Sequence, residues 1–195
     1  MVLTRLSLLV AMSSIAGLAA CVPAVRGPAT PVARPITLVD TSGGTTTMPA
    51  DFARSKLTVL VFYSDHCPCF RVHEERLRSL AQDYGAQGVR VIFVDSEVSA
   101  TLDRDGRAAT ERALPPIAID TGAVLADSLD ADYATYTVVF DAQGQIQYRG
   151  GIDSDKDRLH PDARPYVRDA LDDILAGRAP RRPEGKALGC ALQKH

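Results

Sequence analysis

The stretch Ser64-Asp65-His66-Cys67-Pro68-Cys69-Phe70-Arg71 sets two thiols one proline apart. Thiolates attack disulfides and bind soft metals, so the pair points to sulfur redox chemistry or to metal handling. The preceding run, Val59-Leu60-Val61-Phe62-Tyr63, is apolar, β-branched and aromatic, and reads as a buried strand. After Pro68 the period changes. Phe70, Leu77, Leu80, Ala81 and Tyr84 recur at roughly helical spacing, with Arg71, Glu74, Glu75, Arg78 and Asp83 between them. Cys67 therefore stands at a helix N-terminus, with Pro68 in the first turn, where its missing N–H would be unpaired anyway. Free N–H groups and the positive end of the helix dipole favour a thiolate over a thiol there. The expectation is a reactive and accessible Cys67.

The elements that position this turn fit one domain with appendages. The chain has 195 residues, and a formal charge of -2 offers no electrostatic case for nucleic acid. Its four cysteines, Cys21, Cys67, Cys69 and Cys190, are too few and too unevenly spaced for a stapled scaffold. Residues 1–5 give a short positive start, and residues 6–20 an apolar, small-residue segment of signal-peptide length. The segment ends in Leu18-Ala19-Ala20-Cys21, which resembles the bacterial lipobox. That resemblance implies that Cys21 carries lipid and becomes the mature N-terminus. Ordinary secretion with cleavage after Ala20 is the alternative, leaving Cys21 a free thiol. Val22 in place of aspartate, by resemblance to sorted lipoproteins, points to the outer membrane. Either route exports the folded part to the periplasmic side, where disulfides persist.

Prolines 23, 28, 31 and 35 make residues 21–35 an extended tether. The domain proper is read as 36–177. Short strands are expected at 36–40 and 45–48, then the central strand, the cysteine turn and its helix, and a second buried strand at 89–95. A helix over 101–114 stops at Pro115-Pro116. A strand at 117–120, a helical turn at 123–129 and a hairpin of 135–141 with 145–149 follow. Residues 153–164 read as a long polar loop, with the Asp/Arg stretch 153–158 solvated, and a last helix ends at Gly177. Residues 178–195 are a Pro/Arg-rich tail carrying Gly189-Cys190. The order predicts a mixed α/β sheet with helices on both faces and the Cys67 turn at the C-terminal edge of the central strand.

Strand–Cys67-x-Cys69–helix, the run Val-Arg-Val-Ile-Phe-Val-Asp at 89–95, and Thr-Val-Val-Phe-Asp-Ala-Gln-Gly-Gln-Ile-Gln-Tyr-Arg-Gly at 137–150 together resemble the thioredoxin-like redoxin superfamily. The TlpA/ResA and AhpC/TSA types are nearest. The resemblance spans about 36–177 and implies a thioredoxin-like α/β fold and thiol–disulfide exchange. It casts Cys67 as the attacking thiolate and Cys69 as the resolving thiol. The sequence departs from the family's pattern in three places. A single residue, Pro68, separates the cysteines instead of two, and a disulfide across one residue is cramped and easily reduced. Thr135 stands where the family places a cis-proline. His66 replaces the usual aromatic residue before the first cysteine, where a histidinium would favour the Cys67 thiolate further.

The resolving thiol stays open between Cys69 and Cys190. Gly189-Cys190, after a flexible arm, could fold back over the site; its plainer readings are a free tail thiol or a static staple. His73, four residues after Cys69, reads as part of a solvated helix surface, His160 as a surface histidine, and Ser64 and Asp65 as caps of the first turn. No cofactor or metal is expected, and the partners would be periplasmic or outer-membrane protein thiols and disulfides, with the membrane engaged through the N-terminal lipid. Competing readings are a copper chaperone of the Sco type, using Cys67, Cys69 and one of His66, His73 or His160, a peroxiredoxin-like peroxidase, whose proline position here holds Leu60, and a non-catalytic module of the same fold.

Overall fold

The computed structural model describes Val32 and residues 34–195. The leader, Cys21 and most of the tether lie outside the described residues. Val32, read from sequence as tether, is buried in the core. Among the described residues no helix is long and apolar enough to cross a membrane.

Among the described residues, seven strands and four α-helices follow one another as β1 (Ile36–Asp40), β2 (Thr45–Met48), β3 (Leu57–Tyr63), α1 (Pro68–Gly85), β4 (Val89–Asp95), α2 (Leu102–Glu111), β5 (Ile117–Ile119), α3 (Val124–Ser128), β6 (Thr137–Asp141), β7 (Ile146–Gly150) and α4 (Tyr166–Leu175). They form one mixed sheet in the order β2-β1-β5-β4-β3-β6-β7, the thioredoxin-like architecture the sequence implied. β3 is buried along its whole length, parallel to β4 and antiparallel to β6. A strand covered on both faces needs the unbroken apolar run that the sequence supplies. The chain leaves β3 at Tyr63 and enters α1 at Pro68, so the cysteine turn sits at the strand's C-terminal edge.

Phe70 pins the start of α1 to the sheet. Its ring stands edge-on to Tyr63 at 4.9 Å and to Phe93 at 5.6 Å between centroids. Aromatic pairs of this geometry add about 0.5–1.5 kcal/mol beyond the area they bury. On the other side of β3, Phe62 exchanges main-chain hydrogen bonds with the segment before β6: Thr135 N–H donates to its carbonyl at 2.8 Å, and its N–H donates to Tyr136 at 2.9 Å. Thr135 is thereby held at the edge where Cys67 lies.

The tail departs from expectation. Residues 178–195 are docked, not a free arm. Arg149 N–H donates to the Pro183 carbonyl at 3.0 Å and Gly185 N–H to Arg149 at 2.9 Å, so the tail joins the exposed edge of β7. It then crosses to the cysteine edge, where Ala191 bridges Tyr133 and Leu192 N–H donates to the Asp132 carbonyl at 2.9 Å. Val98 N–H donates to Gln193 at 2.8 Å, and the Lys194 ammonium reaches Asp127 and Asp132, each at 2.8 Å. Gly150 makes the first contact sterically feasible: at φ 139°, a Cβ there would lie 1.9 Å from the Gly185 carbonyl oxygen. The docked segment forms a strap over the sheet edge.

Candidate active site

Cys67 is the N-cap of α1, in extended conformation, with Pro68 opening the helix as expected. Its Sγ accepts the Phe70 N–H at 3.4 Å, so the thiol does the capping that the sequence assigned to Ser64 and Asp65. A second N–H reaches the same sulfur from the strap: Cys190 N–H donates to Cys67 Sγ at 3.3 Å. The sulfurs of Cys67, Cys69 and Cys190 all lie within 4.8 Å of one another. The two cysteines of the turn and the distant tail cysteine thus form one cluster. His66 stands exposed on the turn, and the donors to the Cys67 sulfur are main-chain N–H groups, which suit an anionic sulfur at a helix start.

Cys67 is not accessible. It is 0% exposed and Cys69 3%, while Cys190 is partly exposed. The strap lies across the turn, with Cys190 N–H on the Cys67 sulfur and Gly189 against Ala134. Close approach is allowed by Gly189, where a Cβ would fall 1.6 Å from the Ala134 carbonyl oxygen and 3.0 Å from Thr135 Oγ1. Ala134 N–H donates to the Cys190 carbonyl at 2.8 Å and completes the clamp. Thr135 itself is buried at φ 69°, a left-handed conformation unusual for a β-branched residue. In this structure the position opposite the cysteines serves the chain's own terminus.

Burial, reinforced by hydrogen bonding to Cys67 and by its charge, pushes the Cys190 thiol up to about 12. Burial and the Cys67 sulfur likewise raise Cys69. Both shifts favour the protonated thiol beside the Cys67 sulfur.

Under the first turn of α1 lies a network that sequence reasoning missed. His73 is buried rather than solvated, with Nδ1 at 2.6 Å from the Cys69 carbonyl and Nε2 at 3.1 Å from Asp153. Burial opposes charge on this ring, but its hydrogen bonds to Asp153 and Cys69 outweigh burial, and its pKa is raised. Arg76 bonds Asp153 at 2.6 Å and Asp155 at 2.8 Å, and Asp155 accepts from His160 N–H at 2.8 Å. Asp153 and Asp155, expected in a solvated loop, are both buried. Against burial, the His160 and Arg76 hydrogen bonds bring Asp155 down to about 2. His160 remains exposed, with Nδ1 at 2.8 Å from Asp155. Asp65 is also not a cap: it accepts from Tyr63 OH at 3.1 Å and Arg112 at 2.8 Å, and Arg112 is held by Glu74. Only the acid/base alternation at Asp153–Arg158 hinted at such pairs, and it names no partner.

The fold and the cysteine turn now meet the known proteins. Residues 30–149 match the AhpC/TSA family. The chain belongs to that family. It is a thioredoxin-like redoxin. No curated protein sequence matches it. Among solved structures, an uncharacterized conserved protein from Geobacillus kaustophilus superposes with a TM-score of 0.74 at 25% identity, over 83% of this chain and 89% of its own. A hypothetical protein from Sinorhizobium meliloti 1021 gives 0.75 at 24% identity, over 84% and 92%. The exposed lipoprotein thioredoxin of Streptococcus pneumoniae gives 0.54 at 14% identity, over 74% and 99%, a likeness of fold.

Two outcomes follow from this geometry. Gly189→Ala forces the strap off Ala134, so Cys67 should react with an aromatic disulfide reagent at least about tenfold faster than in the parent chain, about 1.4 kcal/mol of lost closure. An unchanged rate in a folded variant would mean the strap does not shield the thiol. The Asp155 contribution to stability is complete above its ordinary pKa of about 3.9 and is lost as pH falls toward its lowered value. Asp155→Asn should therefore lower Tm by several degrees near pH 6, and the gap should close toward pH 2; a pH-independent gap would contradict the assignment.

Proposed function

We propose that this protein is an extracytoplasmic, lipid-anchored thiol–disulfide oxidoreductase in which Cys67 is the nucleophile and Cys190 the resolving thiol. The observation that carries the reading is the convergence of the Cys69 and Cys190 thiols on the N-capping sulfur of α1. Redoxin membership supports sulfur exchange, and Leu18-Ala19-Ala20-Cys21 supports export and lipid attachment. The partners are protein disulfides or thiols on the periplasmic side of a bacterial membrane.

Exchange begins when the strap lifts. The Cys67 thiolate attacks one sulfur of the partner's disulfide; the partner S–S bond breaks, a Cys67–partner bond forms, and the other partner sulfur leaves and takes up a proton. As the strap returns, Cys190 loses its proton and attacks Cys67 Sγ. The mixed disulfide breaks, a Cys67–Cys190 disulfide forms, and the second partner sulfur leaves as a thiol. The partner gains two electrons and the domain loses two; the reverse sequence oxidises a dithiol partner. Cys190 is favoured over Cys69 because it lies on the strap, outside α1, and closes the bond without reshaping that helix's first turn.

Incubation with a model disulfide and gel analysis of trapped adducts tests the roles. Cys67→Ser should abolish exchange, a loss of at least about 10³-fold for removal of a nucleophile. Cys190→Ser should retain the first attack and accumulate mixed disulfide. Exchange that survives in Cys67→Ser, or a Cys190→Ser chain that turns over like the parent, would overturn this reading.

A further inference from the structure

The three converging sulfurs offer a second chemistry. We propose that the reduced protein binds one soft monovalent d10 cation, of the Cu(I) class, through Cys67, Cys69 and Cys190, with the strap supplying the third ligand. A metal with bonds to sulfur of about 2.3 Å, arranged in a trigonal plane, needs its sulfurs about 4.0 Å apart. The three here lie within 4.8 Å of one another before any adjustment. Two come from the start of α1 and the third from the strap, and bringing the widest pair to about 4.0 Å takes less than about 1 Å of movement.

The donor set selects the ion. The cluster is all sulfur, and soft thiolates favour Cu(I) over the harder cations that carboxylates and water hold. The histidines considered from sequence do not join it. Both His73 ring nitrogens face oxygens of Cys69 and Asp153, His160 faces Asp155, and His66 is exposed. Three thiolates around one monovalent cation leave net negative charge. The N–H groups of Phe70 and Cys190 already point at the Cys67 sulfur to meet it.

Binding transfers no electrons. Each thiol that ligates releases its proton to solvent, and the metal occupies the lone pairs that disulfide exchange requires. Metal and disulfide therefore exclude one another. A bound ion also ties Cys190 to α1 and holds the strap shut, so the loaded protein cannot open to a protein disulfide.

The test uses the full chain carrying Cys21→Ser, reduced and kept anaerobic. Cu(I) is added against a chromogenic Cu(I) chelator, and Cd(II) is added in a separate titration whose sulfur-to-metal absorption counts the thiolates. One Cu(I) per chain should resist the chelator, and the Cd(II) band should have the intensity of three thiolates. Cys190→Ser should weaken Cu(I) at least tenfold and reduce the Cd(II) count to two. Copper lost entirely to the chelator, or Cu(I) affinity unchanged in Cys190→Ser, would overturn the proposal. The Cd(II) count on the parent decides the matter if a variant misfolds; fewer than three thiolates sinks the site. Disulfide exchange, measured on metal-free protein, is read separately. A chain that exchanges disulfides but yields its copper loses only the metal site, and one that holds copper on three sulfurs but exchanges nothing loses only the redox reading.

Discussion

One hydrogen bond ties the two ends of the domain's chemistry together: the N–H of Cys190 on the sulfur of Cys67, 123 positions away. Cys67 is placed by local rules, at the end of a buried strand and the start of a helix. Cys190 is placed by none of them; it is there because the strap runs along β7 and crosses the sheet edge. Three properties of the site go with that contact. It seals Cys67, brings in a third thiol, and raises the Cys190 pKa, through burial first and then the neighbouring sulfur.

Sealing the Cys67 sulfur under the strap makes its reactivity a question of populations. If the closed state outweighs the open one a hundredfold, an external disulfide meets Cys67 a hundred times less often, at a cost of about 2.7 kcal/mol. The clamp is built from main-chain hydrogen bonds, tight contacts at Gly150, Gly151, Gly185 and Gly189, and the ion pairs of Lys194 with Asp127 and Asp132. Exposed ion pairs contribute little each, so the glycine contacts and backbone bonds carry most of the closure. A partner that pairs with the segment 132–134 in place of residues 190–192 would exchange one set of backbone bonds for another.

Much of the fold was legible because it is written locally. The unbroken apolar run of β3, the second at β4, and Asp141-Ala142-Gln143-Gly144 between β6 and β7 each declare their element within a few residues, and Pro68 marks the start of α1. The pairing of Cys67 with Cys69 was visible in the same way, and the Gly-Cys ending suggested a returning tail. What sequence hid depends on separation. His73 looked solvated beside Glu74 and Glu75, and its burial depends on Asp153, eighty positions on, as well as on the Cys69 carbonyl within its own helix. Gly189 looks like a tail residue until the Ala134 carbonyl it accommodates is in view. For the same reason an open Cys67 was the natural expectation: an N-cap announces itself locally, whereas the cover over it comes from the far end of the chain.

The central claim is that the strap delivers its own sulfur to the nucleophile. Mild oxidation of the full chain, digestion without reductant and mass spectrometry of the linked peptides tests it most directly. The account requires a peptide joining Cys67 to Cys190, with Cys69 recovered as a free thiol. Recovery of only a Cys67–Cys69 link, with Cys190 fully alkylated, would contradict it.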